Sequence, residues 1–294
     1  MSANDTHPHH PAGRRPRISA GTARYLGAFR TPRGMIGGGL LLVMLLAALL
    51  APVIFPGGVD MQTRENFQPP SLIHPFGTDE YGRDIFVRCI YALRISLSLV
   101  LVAVPLAMAL GILMGLSGAV SRRLGEVCQR IFDIILGFPS LVLGICIVVA
   151  IGAGWLALAI TILVFSLPQF GRLARGALLT EQTREYVLAA QVLGVPKRKV
   201  MTRHILPNTL DPLLVQASLS MIAGIFAEAA LSIVGLGIQP PTPSLGTLLN
   251  VGIRYVYAQP MYTAGPIIML LLLALAFNLI ADALNAAVLN AKRT

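Results

Sequence analysis

The chain has 294 residues, of which 55% are hydrophobic and only 12% charged, and its mean hydropathy is +0.73. A soluble domain carries roughly 25% charged residues, so one water-soluble globule of this composition could not clothe its surface in polar groups. The net charge of +10 does not signal a nucleic-acid partner, because the basic residues sit in short stretches between long apolar runs.

In chain order, residues 1–33 are polar, basic and rich in Pro. They read as a disordered cytoplasmic tail held near anionic headgroups. They lack the apolar core of a signal peptide. His7, His9 and His10 are interrupted by Pro8 and have no second cluster, so they read as solvated rather than as metal ligands. Six apolar runs follow, at about 34–55, 95–120, 131–150, 155–170 (extending toward Ala177), 210–235 and 266–289. A helix needs ~20 apolar residues to cross ~30 Å of hydrocarbon. None of the runs alternates as a membrane β-strand would, so each is predicted to be a transmembrane helix.

Between the first two runs lies Phe76-Gly-Thr-Asp-Glu-Tyr-Gly-Arg-Asp-Ile-Phe86. Gly77 and Gly82 suit tight turns, and Asp79, Glu80, Arg83 and Asp84 can form a compact charged cluster at the membrane surface. Two readings stay open for Asp79, Arg83 and Asp84: an external gate or binding-protein contact, or a self-satisfied cap over helix ends. In the second run, Gly111 and Gly115 are four apart and Gly118 follows, a pattern that lets helices pack closely. Cys89, Cys128 and Cys146 are widely spaced and read as small buried hydrophobes.

Between runs four and five the sequence is polar and basic. Glu185 to Leu193 reads as a short helix, Gly194 as the left-handed residue that ends it, and Pro196 as the first turn of a second helix. Pro207 permits a break before the fifth span. The result is a helix–turn–helix outside the bilayer, with small Ala189 and Ala190 where a partner could approach closely. Within the spans, Glu228 and Asp282 are carboxylates in an apolar setting, and Asp133 is at a boundary. Glu228 and Asp282 are expected on the translocation path or permease interface; for Glu228 the alternative is a buried carboxylate hydrogen-bonded to neighbouring helices.

The basic residues cluster before the first run (Arg14 to Arg33), between the second and third (Arg122, Arg123, Arg130), between the fourth and fifth (Arg172 to Arg203) and after the last (Lys292, Arg293). Only Arg64, Arg83, Arg88, Arg94 and Arg254 lie on the other side. The positive-inside rule then places both termini in the cytoplasm. No G-x-x-x-x-G-K-[ST] loop occurs, nor any zinc-protease or serine-hydrolase motif. ATP, if used, is bound elsewhere.

The spacing Ala189-Ala190, three residues, Gly194, then Leu206-Pro207 resembles the cytoplasmic signature loop of binding-protein-dependent ABC importer permeases. Leu188 stands where many members have Glu, and His204 where many have Ile. Residues 76–86, 133–139 and 235–246 are similar to segments of the C-type permease of dipeptide and oligopeptide importers, although Leu245 occupies an expected Trp position and the last span lacks an Asp-Pro. The resemblance covers the chain from about residue 34 onward. It implies an all-α type I ABC importer permease fold of about six transmembrane helices, with a domain at 34–294 and a coupling loop at about 172–208. It implies that Glu185, Tyr186, Ala189, Ala190, Gly194, Leu206 and Pro207 couple to an ATPase. It also implies a heterodimer with a B-type permease, two cytoplasmic ATPase subunits that carry ATP and Mg, an extracytoplasmic substrate-binding protein, and a place in a bacterial inner membrane. No cofactor, metal or nucleic acid is expected on this chain, and no catalytic residue. The alternative reading is a stand-alone secondary carrier or channel, which would show more paired intramembrane charges and an internal repeat.

Overall fold

The structure is a computed structural model that describes residues 25, 27–201 and 205–291. Most of the expected tail, the three histidines within it, Arg203, His204, Lys292 and Arg293 lie outside the described residues. Those that are described form helices and connecting loops.

Helix α1 (Pro32–Ile54) starts where Thr31 caps it, its hydroxyl accepting from the Gly34 amide at 3.1 Å, with Pro32 in the first turn. Helix α2 (Ile85–Leu116) begins ten residues before the apolar run suggests. Arg88 and Arg94 hide its first turns from a hydropathy scan, yet Asp84 caps them by accepting from the Val87 amide at 3.1 Å. The third apolar run is not one helix. Helix α3 (Arg122–Gly137) and helix α4 (Ser140–Ile151) meet at 98°. Pro139 causes the break: it has no N–H to donate and pushes Phe138 to an extended φ of −94° and ψ of 140°. Among the described residues, five helices are long and apolar enough to cross a membrane, six if the bent pair is one crossing.

Helix α5 (Trp155–Gln182) runs past Ala177, toward which the fourth run is expected to extend, by five residues. Two short helices follow, α6 (Glu185–Val192) and α7 (Lys197–Val200), and then α8 (Leu206–Ile233), with Pro207 in its first turn. Helix α9 (Leu245–Arg254) was not foreseen, although Ser244 and Thr247 form a reciprocal capping box that announces it. Helix α10 (Pro260–Ala291) closes the chain, beginning six residues before the apolar run.

One buried cluster joins α1, α2, α4, α5, α8, α9 and α10, with Leu93, Leu99, Leu158, Leu213 and Tyr262 at its centre. The α2–α5 seam is the closest. A β-carbon on Gly111 would lie 2.6 Å from the Phe170 Cβ, and one on Gly115 would lie 2.3 Å from the Gly171 carbonyl oxygen. Small residues there let the two backbones approach. Around this core, large apolar side chains such as Val53, Leu113 and Val149 are exposed. A lipid solvent makes such a surface stable, where water would drive it to aggregate.

Candidate functional site

The loop between α5 and α8 is a folded unit. Val187 of α6, Val200 of α7, Ile205 and Leu178 of α5 form their own small core, on which Ala190 and Val195 pack. Gly194 takes a φ of 73°, and the Val195 amide donates to the Ala190 carbonyl at 3.0 Å, the six-to-one bond of a Schellman ending. Pro196 stands just before α7 rather than inside it, and its carbonyl accepts from the Lys199 and Val200 amides. The two alanines part company: Ala189 is exposed, Ala190 turns toward the small core. Glu185 is exposed beside it. The Tyr186 hydroxyl donates to Glu181, and Arg184 lies 3.7 Å from the same carboxylate. Leu206 and Pro207 form the first turn of α8, directly after Ile205 of the small core. Tyr186, Leu188, Val192 and Leu193 are left as exposed apolar side chains on α6 and its end, the last two more than 80% exposed.

The segment ahead of α2 is tied to itself. Asp79 is fully buried. Its Oδ1 accepts from the amides of Tyr81 (2.8 Å) and Arg83 (2.9 Å), and its Oδ2 from Arg83 Nε (2.7 Å) and Arg88 Nη1 (2.6 Å). Arg83 also lies 3.5 Å from Asp60 and 3.7 Å from Glu80. Burial pulls the Arg83 pKa down, but its bond to Asp79 and the nearby acidic charges outweigh that and hold it above its ordinary value. Asp84 caps α2 with one oxygen and meets His74 Nδ1 at 2.8 Å with the other. Gly77 and Gly82 adopt φ of 75° and 70°, and side chains there would strike Gln68 and Thr63. Gln259, just before α10, donates to the Gln68 carbonyl at 2.5 Å and fastens the segment to the bundle.

Glu228 is fully buried in α8. It accepts from Ser96 of α2 (3.1 Å), Ser232 (3.1 Å) and Ser244 at the start of α9 (2.6 Å), with the Gly246 backbone as a further donor. Its oxygens therefore join three elements of this chain. Asp282 lies apart, half exposed, 3.7 Å from Arg33 near the start of α1. Asp133 of α3 pairs with Arg172 of α5 at 2.6 Å, which clamps the bent pair to α5. Charge counting did not single out Arg88 as the partner of Asp79, nor the polar cluster in which Gln216 donates to Gln169 at 2.7 Å. The second needed knowledge of which helices touch; the first needed the turn that folds Asp79 back over the start of α2, nine residues along the chain. Among the described residues, no group of His, Cys, Asp or Glu could hold a metal.

Residues 107–293 match the family described as binding-protein-dependent transport system inner membrane component. The chain belongs to this family. The match starts in the second half of α2 and takes in the folded loop, Glu228 and the last helix. Full-length relatives carry the likeness further toward the start. The chain is 38% identical over 269 residues to the di/tripeptide transport system permease protein of Pseudomonas aeruginosa, covering 88% of this chain and 89% of that one. It is 36% identical to the dipeptide transport system permease protein of Alkalihalophilus pseudofirmus (85% and 83% covered) and 37% identical to the probable D,D-dipeptide transport system permease protein of Escherichia coli (84% and 83%). Its fold matches a chain of the MetNI methionine ABC transporter, solved in inward-facing conformations, with a TM-score of 0.52 at 20% identity, over 67% of this chain and 96% of that one. The fold is thus that of an ABC importer permease. This inner membrane component is a permease subunit, not a catalytic one, and family membership sets aside a stand-alone carrier.

Proposed function

We propose that this chain is the C-type permease of an ATP-binding-cassette importer that moves short peptides or a related small solute inward by alternating access. Beside it would stand a B-type permease, two cytoplasmic ATPases binding ATP and Mg, and an external binding protein that selects the solute. The charge distribution supports cytoplasmic termini, with the bent pair α3–α4 counted as one crossing. The loop at about 172–208 then lies in the cytoplasm and residues 76–86 outside. The relatives, all transport system permeases named for di- or tripeptides, support a peptide cargo.

The observation that carries this reading is the packed pair α6–α7 with an apolar outer face. An exposed Leu188, Val192 and Leu193 beside exposed Ala189 suits a protein partner, because isolated in water the patch would be a liability. Its own core and the Gly194 ending let the loop move as one body when the ATPases close. ATP can drive the switch only through different affinity for the two states. In this scheme Glu185, Tyr186, Ala189, Ala190 and Gly194 form the docking element, Leu206 and Pro207 pass its motion to α8, the Asp79–Arg83–Asp84 cap supports the external face, and Glu228 and Asp282 hold helices in register at the permease core and edge.

Gly194 supplies the test. A β-carbon there would meet no atom of the described residues within 4 Å, so a large side chain is tolerated by them and is resisted by the positive φ and by a docked partner. In the reconstituted complex, Gly194→Trp is expected to abolish solute-stimulated ATPase activity, while Gly194→Asn, which accepts the left-handed conformation, retains most of it. Undiminished coupling in Gly194→Trp refutes the docking role.

A further inference from the structure

Arg94 sits ten residues into α2, about 14 Å along its axis at ~1.5 Å per residue, just before the apolar run that starts at Ile95. It is exposed, and it forms no hydrogen bond or ion pair with any described residue. The other two arginines nearby, Arg83 and Arg88, are both bound to Asp79. An unpaired guanidinium at the mouth of an apolar span is costly unless water or an anion meets it.

Arg94 lines a recess of about 360 Å³ together with Val59, Asp60, Tyr91, Ser98 and Thr242. Small-molecule sites occupy about 300–1,000 Å³. Two of the polar walls are already committed. The Tyr91 hydroxyl donates to the Phe55 carbonyl at 3.3 Å. Ser98 donates to the Ile95 carbonyl at 2.8 Å and accepts from the Trp155 indole at 2.9 Å. What remains available in the recess is the Arg94 cation, the exposed Thr242 hydroxyl, and Asp60, whose side chain is 48% exposed. The recess thus offers a free cation and a partly free anion on mostly apolar walls.

We infer that this recess is a transit site for a short zwitterionic solute, with the solute's free carboxylate held by Arg94 and its ammonium group turned toward Asp60. The inference rests on the importer reading above and deepens it: the permease itself, and not the binding protein alone, selects for a free carboxylate. Arg94 suits the task because a guanidinium can grip a carboxylate through two parallel N–H bonds. A pairing of this kind serves passage best when it is weak enough to release.

Trp155 is the one tryptophan of the chain, and its bond to Ser98 places it against the recess wall, so it can report occupancy. The whole complex, with partner permease, ATPases and binding protein, is labelled with fluorotryptophan, and the Trp155 signal is identified by its loss in Trp155→Phe. Alanyl-alanine is expected to move that signal and its C-terminal amide to move it at least tenfold more weakly. Arg94→Gln should weaken the response to alanyl-alanine by a similar factor, with no further loss for the amide, and should lower uptake while complex yield holds. Arg94→Lys should recover part of both. The inference is overturned if alanyl-alanine leaves the wild-type signal unmoved, or if Arg94→Gln binds as well as wild type. It is equally overturned if Arg94→Gln prevents assembly, which assigns Arg94 to a carboxylate of the partner permease, or if the signal answers to phosphatidylglycerol in the vesicle rather than to peptide, which assigns it to a lipid headgroup. Failure of the importer reading looks different: a wild-type complex that hydrolyses ATP and takes up no peptide at all.

Discussion

Asp79 offers the sharpest test of how the segment ahead of α2 is held. Replacing it with Ala removes the acceptor of two amides and two guanidiniums. Arg83 keeps weaker contacts with Asp60 and Glu80. Arg88, 7% exposed and with its Nε already unpartnered, keeps no acidic neighbour within 4 Å among the described residues. Breaking a buried pair by removing one partner costs about 3–5 kcal/mol, mostly from the charge left behind. At about 2 °C per kcal/mol for a chain of this size, thermal unfolding of the detergent-purified permease should fall by roughly 6–10 °C. Asp79→Ala combined with Arg88→Met removes both charges and should recover more than half of the loss. A single mutant that melts within a degree or two of wild type, or a double mutant no better than the single, would refute the view that this ion pair anchors the cap.

Two further outcomes follow from the packing. Glu228→Ala leaves the hydroxyls of Ser96, Ser232 and Ser244 without their acceptor, at about 1–3 kcal/mol for each donor left unsatisfied; complex yield and uptake should fall together, while Glu228→Gln, which keeps an acceptor, should preserve yield, and normal uptake with normal yield in the Ala variant would contradict this. Gly115→Ala should destabilise the α2–α5 seam and Gly171→Ala the α3–α5 contact, each by roughly 1–3 kcal/mol, the usual range for overpacking, read as a lower melting temperature. Truncating Phe132 to Leu should rescue Gly171→Ala, whose new methyl meets the Phe132 ring, and should not rescue Gly115→Ala, which meets the Gly171 backbone.

What the amino-acid sequence determined by itself was whatever depends on neighbours along the chain. Long apolar runs dictated helices in lipid, because backbone groups there can be satisfied only within a helix. The Gly194 ending and the Pro207 start were legible because a left-handed residue and a missing N–H act locally. The helix ends were misread where charge interrupted the pattern: α2 begins at Ile85 because Asp84 caps it, and hydropathy does not weigh caps. The break at Pro139 had its cause in plain view, but an apolar run on both sides concealed it, and only the 98° between α3 and α4 exposed it. Tertiary structure alone decided the partners of the buried charges. Glu228 meets Ser96 across 132 residues of sequence, and Asp79 is bonded to Arg88 rather than left facing a visitor. The same structure left Arg94 without a partner in its recess. Whether a charge inside a membrane protein is spent on its own fold or kept for a ligand depends on which helices stand beside it, and that is fixed by packing between distant segments rather than by any local pattern.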